Sequence, residues 1–199
     1  MRAPAALGAA FGLVAAAASL AVLLTGGGAA DTSGQPAGTS GRAADTSSAV
    51  VTYQAQVVPI VKDWGSVEVM GMRPAVADLR TGTDLGRPEI VAVQARAWRA
   101  ALETDRAKLA ALTPPAELRP MAALMDASMG LYLQAVQRFL DATAATGAQR
   151  GALLDQGIAA AREGADVYDR ASAVLHQVRR AHGLPVTTEF PHGTGTGAP

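Results

Sequence analysis

The sequence predicts an all-α protein, an up-down-up-down antiparallel four-helix bundle with a kinked or broken first helix. Three observations carry that expectation. Apolar residues recur at three- and four-residue steps in four separate stretches, the spacing that lines one face of a helix. A Thr113-Pro114-Pro115 corner joins two of these stretches, and so short a connection makes the flanking helices antiparallel. Strand formers are sparse and no alternating apolar–polar run occurs, so a sheet has nothing to build on.

Composition narrows the function classes. The 199 residues are 49% hydrophobic but only 4% aromatic. Alanine dominates the apolar share, so helices can approach closely while few bulky side chains fill the core. One domain is expected. The 17 basic and 17 acidic residues cancel to a net charge of +0, which leaves no basic footprint for nucleic acid. Cysteine is absent, which excludes disulfides, a thiol nucleophile, thiolate metal sites and covalent haem attachment.

Arg2 is the only charge before Asp31. Between them an apolar run from Leu7 to Leu24 gives way to small residues through Ala30, the pattern of a signal peptide cleaved after Ala30. An uncleaved N-terminal anchor competes, because the run is close to the ~20 residues that span a bilayer. Alanine dilution and the Gly26-Gly27-Gly28-Ala29-Ala30 ending favour cleavage. Either way the chain is expected to be exported, to the cell envelope or beyond, and anchored by residues 7–24 only if they are retained. Residues 31–48 are Gly, Ser, Thr, Ala and Pro with little to bury, and read as a disordered linker.

The bundle is expected over residues 49–182. Val50, Tyr53, Val57, Ile60, Trp64 and Val67 mark the buried face of the first helix. Pro59 removes a hydrogen bond inside it and predicts a kink. Gly65, Gly71 and Pro74 weaken its continuation, so it breaks near Gly71 or restarts at Pro74 and runs to Leu79. The rhythm places Trp64 in the core, with Gly65 beside it to admit a neighbouring helix and an acceptor for its indole N–H. Thr81 to Asp84 reads as a loop.

Pro88 and Glu89 suit the first turn of a second helix, where a missing N–H is harmless and a carboxylate meets the positive end of the dipole. Its inner face is expected at Ile90, Val93, Ala97, Ala101, Leu102, Leu109 and Leu112, with Arg96, Arg99, Glu103, Arg106 and Lys108 on the flanks. The proline pair stops it near Leu112, and Thr113 can cap the third helix. That helix carries Leu118, Met121, Met125, Met129, Tyr132, Val136, Phe139 and Leu140 on one face. After Thr146-Gly147 the fourth helix follows with Leu154, Ile158, Ala161, Ala165, Tyr168, Leu175 and Val178, and an Asp166–Arg170 pair at i,i+4. Arg179 and Arg180 favour its last turn, and Gly183 with Pro185 ends it. Residues 183–199 read as a disordered tail.

The placement of Trp64, the Gln94 to Arg99 stretch and the Leu109-x-x-Leu112-x-Pro114-Pro115-x-x-Leu118 corner resembles small exported helical-bundle proteins of high-GC bacteria, many of them lipoproteins of unassigned function. The likeness runs from about Tyr53 to Leu140. It implies an exported, non-enzymatic bundle and supplies no catalytic residues. This chain lacks the cysteine that its lipoprotein members lipidate.

No motif for chemistry survives inspection. Glu189-x-x-His192 has the di-iron spacing but contains Pro191, and the Gly193 to Gly197 run lacks a following helix and a Lys-Ser/Thr pair. Gly-x-Ser-x-Gly and His-Glu-x-x-His are both absent. Met121, Met125 and Met129, four apart on one face, offer soft ligands for Cu(I); against that, methionine fills gaps in an alanine-rich core. A Met–His haem site founders on the helical distance between Met70 and His176 or His182. Trp64, Trp98 and Tyr132 are core residues or the walls of a ligand groove between helices. The reading that follows is an exported, non-enzymatic binding or interaction module with no cofactor, its partner an unidentified protein or a small apolar ligand. A methionine-based copper protein is the alternative.

Overall fold

A computed structural model describes residues 40–83 and 86–186, without the side chains of 40–45 and 68–70. The apolar run at 7–24, most of the linker and residues 187–199 lie outside this description. The described chain is all helical. α1 spans Ser40–Ser66 and passes through a π-helical segment, Val67–Met72, into α2, Arg73–Thr81. Then come α3 (Pro88–Ala110), a 3-10 turn (Ala116–Leu118), α4 (Arg119–Ala144) and α5 (Gly147–Ala181). No strand occurs among the described residues, and no described helix is long and apolar enough to cross a membrane.

Helix α1 starts nine residues before the expected boundary at 49, and it runs unbroken past Pro59. The sequence left open whether the chain breaks near Gly71 or restarts at Pro74. The second alternative describes it better: α2 starts at Arg73 with Pro74 in its first turn, where the missing N–H costs nothing, and a π segment rather than a break links it to α1. Pro88 opens α3 and Pro120 the first turn of α4 by the same logic. Thr113 caps nothing. The 3-10 turn intervenes and α4 takes Leu118 as its N-cap. Gly183 ends α5 at φ +66, with Gly183 N–H on Arg180 O and Leu184 N–H on Arg179 O, a Schellman closure. Leu184 then packs on the core, so the described start of the tail is held.

Buried faces follow the expected rhythm in α1, α4 and α5, but not in α3. Its core face is Val91, Ala95, Trp98, Leu102, Asp105 and Leu109. Ile90 and Val93 face solvent, Val93 at 64% exposure, and Ala97 is exposed as well. Bulk settles the choice: turning the helix by one residue would expose Trp98 to cover alanines. The expected Asp166–Arg170 bridge is not formed.

Close approach is greatest between α4 and α5, whose backbones run side by side. Gly157 and Gly164 permit this. A Cβ on Gly157 would fall inside the Phe139 ring, and one on Gly164 would sit 3.0 Å from the Tyr132 ring. Ser128 Oγ donates to Gly164 O at 2.6 Å across the same seam. Gly65 plays no such part, since the space beside it is open. The antiparallel sense recurs between neighbours. Arg106 pairs with Asp126, and Arg99 donates to Gln137 between α3 and α4; Gln54 accepts from Arg179 between α1 and α5.

Two consequences can be measured. Gly157→Ala should destabilise by ~1–3 kcal/mol through overpacking against Phe139, whereas Gly65→Ala should stabilise by up to ~1 kcal/mol, the helix-propensity gain; urea melts separate the two. The Arg106 guanidinium, through two hydrogen bonds, holds the Asp126 carboxyl below its usual range. A lowered folded-state pKa gives stability that is present above the unfolded pKa and lost as pH falls through the folded one. Both side chains are more than 40% exposed, so a double-mutant cycle at pH 7 should read no more than ~1 kcal/mol. That coupling should fade as pH falls below ~4.

Candidate functional site

Trp64 sits at the C-terminal end of α1 with only 3% of its surface exposed. Its ring meets Tyr132 of α4 edge-on at 5.2 Å and Tyr168 of α5 edge-on at 5.1 Å. Each contact aims a positive ring edge at a negative face, worth ~0.5–1.5 kcal/mol beyond the area buried. Two of the three aromatic residues named from sequence are thereby brought together. The third is not: Trp98 packs on the π segment, where a Cβ on Gly71 would lie 2.7 Å from its Nε1. Tyr168 takes its place in the cluster. The fourth-helix rhythm had placed it inward, but nothing local marks it as the neighbour of an indole.

The polar atoms of this cluster depart from expectation. Among the described residues the Trp64 Nε1 donor has no acceptor, and the hydroxyls of Tyr53, Tyr168 and Ser172 are buried without a hydrogen-bond partner. All four residues lie on α1 or α5 and are more than nine-tenths buried. Burial pushes the Tyr168 phenol well above its ordinary range. Ser172, one turn along, tempers the rise without meeting it in hydrogen-bond geometry, and the nearby Asp169 charge adds to it. Tyr53 is raised by burial alone. A buried polar group left unpaired costs ~1–3 kcal/mol, so four on the two helices are a sizeable destabilisation.

Polar groups at the far end of α1 are satisfied instead. Arg179, 8% exposed, donates to Gln54 Oε1 and, through Nε, to Pro185 O at 2.7 Å. His182 joins three elements: Nε2 lies 2.5 Å from Glu117 and Nδ1 3.4 Å from Ser47 Oγ. A serine, an imidazole and a carboxylate in a row invite a hydrolase reading. Acyl transfer also needs N–H donors placed for the oxyanion, and Ser47 lies inside α1, where backbone N–H groups are committed to the helix. The row ties α1 to the end of α5 and to the 3-10 turn.

An open cleft of about 540 Å³ lies between α3 and α4, lined by Arg96, Arg99, Glu103, Gln137, Leu140 and Asp141 among others. Its polar side chains are engaged with one another: Arg99 donates to Glu103 and Gln137, and Gln137 to Asp141. Met121, Met125 and Met129 are each fully buried on the core face of α4, where gap-filling methionines belong. Among the described residues no group of three His, Cys, Asp or Glu side chains is placed to hold a metal ion. No family model, curated protein or solved structure matches this chain.

If the Tyr168 hydroxyl lacks a partner in solution too, Tyr168→Phe should leave the protein as stable as wild type or raise its melting temperature. Trp64→Ala should cost ~3–5 kcal/mol as a buried aromatic deletion. Thermal melts of both variants decide the matter, and a loss of stability in Tyr168→Phe would mean that the hydroxyl is hydrogen-bonded.

Proposed function

We propose that this is an exported, non-enzymatic helical-bundle module of the cell envelope. It binds a flat, largely apolar ligand bearing hydrogen-bond acceptors in the seam between α1 and α5. One observation carries the reading: four buried polar atoms on α1 and α5, Tyr53 OH, Trp64 Nε1, Tyr168 OH and Ser172 Oγ, lack partners, and two of them belong to rings in edge-on contact. Each would be cheaper as an apolar isostere, and a ligand carbonyl or ether oxygen would satisfy the donors. The aromatic rings offer edges and faces to a flat body.

The rest of the reading has its own support. Export rests on Arg2, the Leu7 to Leu24 run and the small residues to Ala30. The up-down-up-down arrangement rests on the antiparallel pairings, with α1, the π segment and α2 forming one arm and α3, α4 and α5 the others.

Fluorene and 9-fluorenone share a flat carbon skeleton and differ by one carbonyl acceptor. Fluorenone should bind the protein about tenfold tighter or more, the worth of one hydrogen bond to a buried donor. It should also shift the Trp64 indole N–H resonance. The difference should vanish in the Tyr168→Phe/Ser172→Ala variant. Equal affinities for the two probes, or shifts confined to the α3–α4 cleft, would overturn the reading.

A further inference from the structure

The residues of the seam are buried, and the described cleft lies elsewhere, between α3 and α4. A ligand can reach Tyr168 and Ser172 only if a helix moves. We infer that α1 is the lid of the seam, hinged at the π segment Val67–Met72 and latched at its opposite end by Ser47–His182 and Gln54–Arg179. The inference rests on the binding reading above.

Four independent features converge on α1. First, the close backbone approaches of α1 are to α3 and to the π segment, not to the helices α4 and α5 that carry Tyr132 and Tyr168. α4 and α5 run side by side, and α3 lies close to α4, whereas α1 reaches α4 and α5 chiefly through the large side chains of Tyr53, Trp64 and their partners. Prising apart an aromatic seam leaves the α3–α4–α5 core intact.

Second, the C-terminal end of α1 has the properties of a hinge. The π segment follows directly, and π turns have looser hydrogen bonding and recur at functional sites. Gly65 precedes it with open space at its Cβ position. The chain is anchored on both sides of the π segment: Asp63, in the last turn of α1, approaches Lys108 of α3 at 3.7 Å, and beyond the hinge Arg80 of α2 bridges to Asp155 of α5.

Third, the opposite end of α1 is held by side chains alone. Ser47 meets His182, Gln54 meets Arg179, and Glu117 holds the other face of the same imidazole. The His182 contacts lie at a partly solvated rim and can be exchanged for water, whereas the Gln54–Arg179 bond is buried and is released only as α1 lifts.

Fourth, the closed seam carries its own opposing term. The unpartnered groups at Tyr53, Trp64, Tyr168 and Ser172 are dissatisfied when α1 is closed and hydrated when it opens. Opening from the Ser47 end exposes Tyr53 first and Trp64 last, because Trp64 lies nearest the hinge.

The test uses the cysteine-free background of the full chain. Cysteines are placed at Ser47→Cys and His182→Cys and joined by a short bis-maleimide, which replaces the latch with a covalent tie. Fluorenone association should then slow at least tenfold relative to wild type. The same double variant left unlinked, with the Ser47–His182 part of the latch removed, should associate faster than wild type. A ligand-free measurement runs alongside. In native-state hydrogen exchange, amides from Val50 to Trp64 should exchange at least tenfold faster than core amides of α4 and α5, through an opening that leaves those helices protected. The cross-link should abolish the difference. If α1 exchanges in step with α4 and α5, or if fluorenone enters the tied and untied proteins at equal rates, α1 is not a lid. If fluorenone fails to bind wild type at all, the binding reading falls while the exchange data still decide the lid.

Discussion

The indole of Trp64, held edge-on between Tyr132 and Tyr168, is the aromatic contact that joins α1 to both α4 and α5. α4 and α5 hold each other by backbone proximity, with glycine making the room and alanine filling it. α1 has no such intimacy with them. It spans a wider gap, and aromatic rings are the side chains large enough to bridge it. The cost is that rings with polar handles come too, and three of those polar atoms, with the Ser172 hydroxyl, end buried where no protein group answers them. The attachment of α1 and the dissatisfaction of the seam are therefore one fact seen from two sides.

Much of the architecture was legible in the sequence because it is local. Proline at a first turn and glycine at a C-terminus act within a few residues of themselves, and Pro88 and Gly183 behave as such residues must. The rhythm of α4 needed only one correct starting point, since its face is crowded with bulky residues. α3 shows where this fails. Two rows at helical spacing, one through Ile90, Val93 and Ala97 and one through Val91, Ala95 and Trp98, fit the periodicity equally. An alanine-rich helix is apolar nearly all round, so periodicity cannot say which row is buried; volume does. Asp105 hid the answer further, being a carboxylate in the core row that is accommodated by a 2.8 Å bond from Lys108.

The candidate site was half legible for a different reason. Trp64 and Tyr132 could be named because large aromatic residues are rare here. That they touch, that Trp98 does not join them and that Tyr168 does are facts about three helices at once. Gly157 and Gly164 are a sharper case. Within α5 each reads only as a weak helix former, and its worth is set by a ring on α4. The expected acceptor for the Trp64 N–H failed for the same reason: the rule that buried donors find partners is statistical, and the exceptions are decided by whichever helix happens to face them.

The Gln54–Arg179 bond joins residues 125 apart, and the Ser47–His182 contact spans 135. Contacts of that separation form late, because the chain must first close a long loop. On a ribosome the delay is absolute, since synthesis runs from the N-terminus. α1 emerges early, and its polar ties to Arg179 and His182 and the Tyr168 side of Trp64 must wait until α5 has been made. Meanwhile α3 and α4 can pair across their short proline corner. The nascent chain thus carries a partly covered, ring-bearing helix at its leading end for most of its synthesis, the kind of surface that chaperones and translocation factors grip.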